Sequence, residues 1–195
     1  MFRSLVAAIA VGALALPALA GDIATSVSPE DVSDSRKTPF GLYLTATDAH
    51  AALTRDPGIV FIDARGLIEV NFVGMPDSAD KNVPVLIQTH TYDPEKKRYE
   101  WRENPDFIAQ VDAVLEAEGK TRDDPIFVMC RSGGRSAMAV RALAEAGFGE
   151  VYNIIDGFEG GKHSETGHRT VEGWRNSDLP WSYGIPPEKA WRPAS

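Results

Sequence analysis

Ile126-Phe127-Val128-Met129-Cys130-Arg131-Ser132-Gly133-Gly134-Arg135-Ser136 decides the reading of this chain. An apolar, partly β-branched run leads into the single cysteine, and helix-forming sequence from Ser136 to Ala146 follows the second arginine. The pattern is strand, tight loop, helix. Gly133 and Gly134 permit a backbone with positive φ that turns N–H groups inward. The positive end of the following helix points at the same place. Such a ring of donors stabilises a thiolate over a thiol, which makes Cys130 a candidate nucleophile. The plainer alternative is a small buried hydrophobe at a strand end. Two adjacent glycines flanked by two arginines are poor company for an inert core thiol.

The segment Cys130-Arg131-Ser132-Gly133-Gly134-Arg135-Ser136 resembles the active-site loop of the rhodanese family of sulfurtransferases. The resemblance implies that Cys130 accepts a sulfane sulfur as a persulfide and passes it to a second acceptor. It also implies that Arg131, Ser132, Gly133, Gly134, Arg135 and Ser136 form the substrate-binding cradle. Backbone N–H groups of the loop would stabilise the thiolate and the persulfide, and Arg135 would either brace the loop or bind an anionic donor. A second likeness lies at Asp63-Ala64-Arg65 with Glu69, where rhodaneses carry an Asp-x-Arg at a strand end followed by a glutamate. These three charged residues read as a structural network holding the loops beside the site. The histidine usual in the following Gly-His-Ile-Pro-Gly-Ala stretch is missing from Gly74-Met75-Pro76-Asp77-Ser78-Ala79.

Outward from the loop, strand-type and helix-type stretches alternate. Tyr43-Leu44, Ile59–Asp63, Val83–Thr89, Ile126–Met129 and Val151–Ile155 read as strands. Ile59 to Ile62 is apolar at every position, as a parallel strand covered on both faces requires. Thr45 or Thr47 caps a first helix, and Asn104-Pro105 opens another carrying Phe107, Ile108, Val111, Val114 and Leu115 on one face. The fold class expected is α/β and rhodanese-like: a central parallel sheet with helices on both faces. Ligands of such sheets bind beyond the carboxyl ends of the strands, where Cys130 falls. Two stretches exceed what a minimal rhodanese needs. Residues 90–104 read as an inserted hairpin or loop, and residues 162–172 as a rim segment above the cysteine. The C-terminal part, with Asp156 to Gly161, Trp174 and Leu179-Pro180, resembles the family's glycine-rich turn and closing tryptophan.

The organisation expected is an export signal at 1–20, a surface-hugging or flexible leader at 21–40, the folded domain at 41–184 and a tail at 185–195. Arg3, the apolar Leu5–Leu16 and Ala18-Leu19-Ala20 supply the three parts of a signal. An apolar run of that length is short of a bilayer span, so no membrane span remains after cleavage. The expected location is therefore outside the cytoplasm, in the periplasm, where an unpaired cysteine risks oxidation and its retention implies use. With 195 residues, 43% hydrophobic and 25% charged, the chain suits one soluble domain. A formal charge of −8 disfavours nucleic acid as a partner. One cysteine excludes an internal disulfide and a resolving cysteine, so a persulfide must be discharged to something outside the polypeptide.

The partners expected are a small anionic sulfur donor such as thiosulfate, a thiol or cyanide-like acceptor and, as a second possibility, a protein that takes the sulfur. No cofactor and no metal are expected, and the default is a monomer. A phosphatase loop needs Cys-x5-Arg, whereas Cys130 and Arg135 stand as Cys-x4-Arg with Ser136 at the position an arginine would need. A carrier that transfers sulfur only between protein partners would have the same loop. A metal site from Cys130, His163 and His168 lacks the tight ligand pairs such sites show.

Overall fold

A computed structural model describes residues 23–193; the expected export signal at 1–20 lies outside the described residues. The core is a five-stranded parallel sheet. Its strands are β1 (Tyr43–Leu44), β2 (Val60–Asp63), β4 (Lys81–Asn82), β7 (Ile126–Met129) and β8 (Val151–Ile154), in the order β1-β8-β7-β2-β4. Phe61 lies beside Phe127 and Ile62 beside Val128 in the central pair, and Val128 lies beside Asn153 in the next. The helices are α1 (Ala46–Arg55), α2 (Leu67–Val73), α3 (Phe107–Ala117) and α4 (Gly134–Glu145).

Side-chain alternation along the strands feeds two separate cores. Phe61, Phe127, Met129, Tyr152 and Ile154 pack with α1, Val70 of α2 and Trp174. Val60, Ile62, Ile126, Val128 and Val151 pack with α3 and α4. Both faces are thus covered, which is why these strands are apolar at nearly every position. Thr45 caps α1, its Oγ1 accepting the Asp48 N–H at 3.2 Å.

Three local expectations are corrected. The parallel strand near residue 83 is Lys81–Asn82; the apolar residues after it run instead into an antiparallel hairpin of β5 (Leu86–Asp93) and β6 (Arg98–Glu103). Pro84 has no N–H to donate to a ladder, and the chain leaves the sheet there. α3 begins at Phe107 because Asn104 forms a turn of its own, its Oδ1 accepting the Asp106 N–H at 3.1 Å. α4 begins at Gly134, so Gly133 alone of the two glycines has positive φ, +87°.

The leader hugs the surface. Val32 is buried, Thr25 and Ser26 bond the Tyr43 carbonyl, and the Arg141 guanidinium donates to Lys37 O at 2.7 Å. Beyond residue 184, the Asn82 N–H donates to Lys189 O at 2.9 Å, so the tail shields the exposed edge of β4. A short antiparallel pair of β3 (Met75–Pro76) and β9 (Trp181–Ser182) closes the sheet end near Trp174, whose indole N–H donates to Pro180 O at 2.9 Å.

Candidate active site

Cys130 follows the last residue of central strand β7 and precedes α4 by four positions, at the carboxyl end of the sheet. The segment after β8 pins the loop from behind. Phe158 N–H donates to Cys130 O at 2.8 Å and Glu159 N–H to Arg131 O at 3.0 Å. Gly157 has φ +64°, and a Cβ there would stand 2.5 Å from Cys130 O. At the other end of the loop, Ala137 N–H is the first in α4 with a helical partner, Gly133 O at 3.1 Å. The N–H groups of Gly134, Arg135 and Ser136 therefore remain free of helical acceptors at the helix end that carries the loop.

The Cys130 side chain is 1% exposed, and the Ser136 hydroxyl lies 3.4 Å from its sulfur. Ser136 Oγ also lies 2.6 Å from Asn153 Oδ1. The orientation of Asn153 is fixed, because its Nδ2 donates to Arg36 O at 3.1 Å and Gly133 O at 3.2 Å. One hydroxyl has one proton, so Ser136 bonds either Asn153 Oδ1 or the sulfur at any moment. With the proton on the Asn153 side, Ser136 accepts from a thiol; turned to sulfur, it supports a thiolate. Asn153 was not among the residues singled out from sequence. Its signal was a polar side chain on the α4 side of an otherwise apolar strand.

The charged residues expected around the loop fall into two groups. Asp63 and Arg65 form a buried pair, with Arg65 Nε at 2.9 Å and Nη2 at 2.5 Å from the carboxylate. Arg65 Nη2 also donates to Gly74 O at 2.8 Å, and the guanidinium lies over the Phe158 ring at 4.0 Å. This pair joins β2 to the segment behind the cysteine, and losing one partner would leave a buried charge unpaired, a cost of about 3–5 kcal/mol. Glu69 takes Arg135 in a two-pronged bond, Arg135 Nη2 to Glu69 Oε1 at 2.6 Å and Nη1 to Oε2. Burial works against the charged form of Glu69, but Arg135 outweighs it and holds the carboxyl below its ordinary value. Arg135 also lies 5.1 Å from the Trp101 ring. Of its two expected roles, the geometry gives Arg135 the bracing one.

Arg131 Nε donates to Glu159 Oε2 at 2.7 Å, and Arg175 shares that carboxylate at 3.4 Å. The hairpin forms one wall of an open cleft of about 610 Å³ beside the loop, lined by Glu69, Lys96, Arg98, Trp101, Arg131 and Arg135 among others. Tyr92 and Tyr99 of the hairpin are exposed and pack on each other. Segment 162–172 is anchored by Asn176, whose Nδ2 donates to Glu159 O, Arg169 O and Glu172 O. Arg169 Nη1 donates to Gly160 O. His163 and His168 meet through backbone atoms, His163 N–H to His168 O at 2.7 Å.

Asp156, at the end of β8, accepts the Ala46 N–H at 2.8 Å and ties the strand end to α1. Burial pushes its carboxyl up to about 6. Because the folded protein holds that proton more tightly than the unfolded chain, stability declines as pH rises from about 4 through 6. The size is at most about 3 kcal/mol. Asp156→Asn keeps an oxygen for Ala46, and urea unfolding at pH 4.5 and pH 7 is expected to show a smaller pH difference than the wild type. An undiminished difference would remove Asp156 as its source.

Residues 45–164 match the rhodanese-like domain family. An uncharacterized protein of Rickettsia prowazekii is 29% identical over 140 residues, covering 72% of this chain and 96% of the relative. The Arabidopsis thaliana chloroplastic thiosulfate sulfurtransferase 16 is 42% identical over 55 residues, 28% of this chain and 42% of that protein. Among solved structures, the M. tuberculosis protein Rv0390 superposes with a TM-score of 0.54 at 32% identity, covering 73% of this chain and 97% of the other.

Proposed function

The chain belongs to the rhodanese-like domain family, a sulfurtransferase family, and from that premise we propose that it moves a sulfane sulfur from a thiosulfate-type donor to a nucleophilic acceptor through a persulfide on Cys130. The Cys130 thiolate attacks the outer sulfur of thiosulfate. A new S–S bond forms, the donor's own S–S bond breaks, and the electron pair leaves with sulfite. Cyanide or a thiolate then attacks the outer sulfur of the persulfide and restores the Cys130 thiolate. The observation that carries this reading is the placement of Cys130 at the end of the central strand, under a hydroxyl from Ser136 and at the N-terminal end of α4.

Mass spectrometry of the purified protein after thiosulfate tests the first half-reaction, and a cyanide challenge tests the second. The expected result is a gain of one sulfur atom, lost as thiocyanate. Absence of any sulfur uptake overturns the thiosulfate reading. The export signal read at residues 1–20 supports a periplasmic setting for this transfer.

A partner-dependent carrier is the second reading. Leu67, Ile68 and Phe72 of α2 are 49%, 47% and 75% exposed, on the helix that also supplies Glu69 to the loop. Turnover with thiosulfate and cyanide alone favours the enzyme. Sulfur release only on adding a protein thiol favours the carrier.

A further inference from the structure

The Cys130 sulfur competes with a buried amide for one hydroxyl proton. Ser136 Oγ stands 3.4 Å from Cys130 Sγ and 2.6 Å from Asn153 Oδ1, and all three residues are buried. Both Nδ2 protons of Asn153 are committed, one to Arg36 O at 3.1 Å and one to Gly133 O at 3.2 Å. The amide is therefore held against flipping, with Oδ1 toward Ser136. Among the described residues Ser136 is the hydrogen-bond donor to that oxygen. A buried acceptor without a donor is costly, and a buried anion without one is costlier. Whichever of the two lacks the Ser136 proton raises the energy of the site.

We propose that Ser136 and Asn153 form a one-proton switch that follows the charge on Cys130 Sγ, with Asn153 a positioning residue that favours the sulfur-loaded state. The inference rests on the sulfurtransferase reading. While Sγ is a thiolate, Ser136 turns its proton to sulfur in a charge-assisted bond, and Asn153 Oδ1 is left without a donor. Attack on thiosulfate forms the new bond from Sγ to the outer sulfur, breaks the donor's S–S bond and sends that electron pair off with sulfite. The negative charge then lies on the outer sulfur, Sγ is neutral, and the Ser136 proton swings to Asn153 Oδ1. When an acceptor takes the outer sulfur, the bonding pair returns to Sγ and the hydroxyl turns back to meet the departing thiolate. No proton is exchanged with solvent in either turn. The hydroxyl thus stabilises the empty state, and the amide oxygen stabilises the loaded one. Through Arg36 O, the leader fixes one of the two Nδ2 protons that keep the amide in place.

Equilibration with fixed mixtures of thiosulfate and sulfite, followed by mass spectrometry, reads the ratio of loaded to empty protein. Ser136→Ala is expected to raise that ratio about tenfold, because the thiolate loses a charge-assisted bond and the loaded state only a neutral one. Asn153→Ala is expected to lower it about fivefold, because the Ser136 proton then has no competing acceptor to leave sulfur for. In the double variant Asn153→Ala should add nothing beyond about twofold, since the amide acts through the hydroxyl. A merely structural role would lower loading in both single variants and add in the double. If Asn153→Ala fails to fold without its two backbone anchors, Ser136→Ala beside Ser136→Thr carries the test, the threonine hydroxyl being expected to return the ratio to the wild-type value. A ratio that falls or stays put in Ser136→Ala, or an Asn153→Ala effect that persists without Ser136, overturns the switch. A wild type that loads while its variants do not differ removes the switch alone; a wild type that takes no sulfur from thiosulfate removes the transfer reading and the switch with it.

Discussion

A Cys130→Ala variant is expected to take up no sulfur from thiosulfate and to lose at least about 10³-fold in thiosulfate–cyanide turnover, while keeping its fold. The loss is large because no other thiol exists in the chain to stand in. The fold should hold because the substitution removes one buried atom from a site whose backbone is pinned independently. Phe158 and Glu159 hold the carbonyls of Cys130 and Arg131, and Asn153 holds Gly133. Removing a single buried sulfur costs about 1 kcal/mol. Loss of activity with a wild-type melting curve places the chemistry on the thiol. Residual turnover at the wild-type rate would place it elsewhere.

Gly133→Ala is expected to damage both fold and site, whereas Gly134→Ala beside it is expected to be mild. Gly133 has φ +87°, and its added Cβ would stand 2.1 Å from Ile155 O, a backbone atom that has nowhere to go. Left-handed strain and the collision together cost about 3–5 kcal/mol, which lowers Tm by roughly 10 °C in a chain of this size. The carbonyl of Gly133 also accepts bonds from Asn153 and Ala137, so the displaced loop disorders the start of α4 and the support of Ser136. Gly134 is helical with open space around its Cβ position, and alanine there should be neutral or stabilising by up to about 1 kcal/mol. Thermal melts of the two variants side by side check this. Equal losses would mean that the strain at Gly133 is relieved by movement.

The contrast between neighbouring glycines illustrates what the sequence exposed. Two glycines after a cysteine announce a tight turn, but only the position of the first helical residue tells which of them needs positive φ. The strands were legible because both faces of a parallel sheet are buried, and a run such as Val60–Ile62 has no other comfortable place. The route after Asn82 was not, since Val83, Val85, Leu86 and Ile87 suit a core strand and a hairpin base equally; Pro84 decided the matter. Cys130 and Arg135 could be selected from the strand–loop–helix pattern, and Asp63, Arg65 and Glu69 from the resemblance to rhodaneses. Their pairing could not, because Arg135 had two roles open to it until Glu69 was seen to occupy both prongs of its guanidinium. Arg36 and Asn153 come together only through tertiary structure, 117 residues apart in the chain.

The strap formed by residues 23–40 has a consequence for modularity. Its last turn reaches Asn153 through the Arg36 carbonyl, and its start meets the Tyr152 hydroxyl through Ile23 O at 2.7 Å. Residues 45–164, the span that matches the family, leave out that strap, Arg169 and the Trp174 plug. As a cassette to graft onto another protein, that span would carry the nucleophile without the strap that holds Asn153 or the closing side of its first core. The unit that packs around the nucleophile is longer than the unit that similarity outlines.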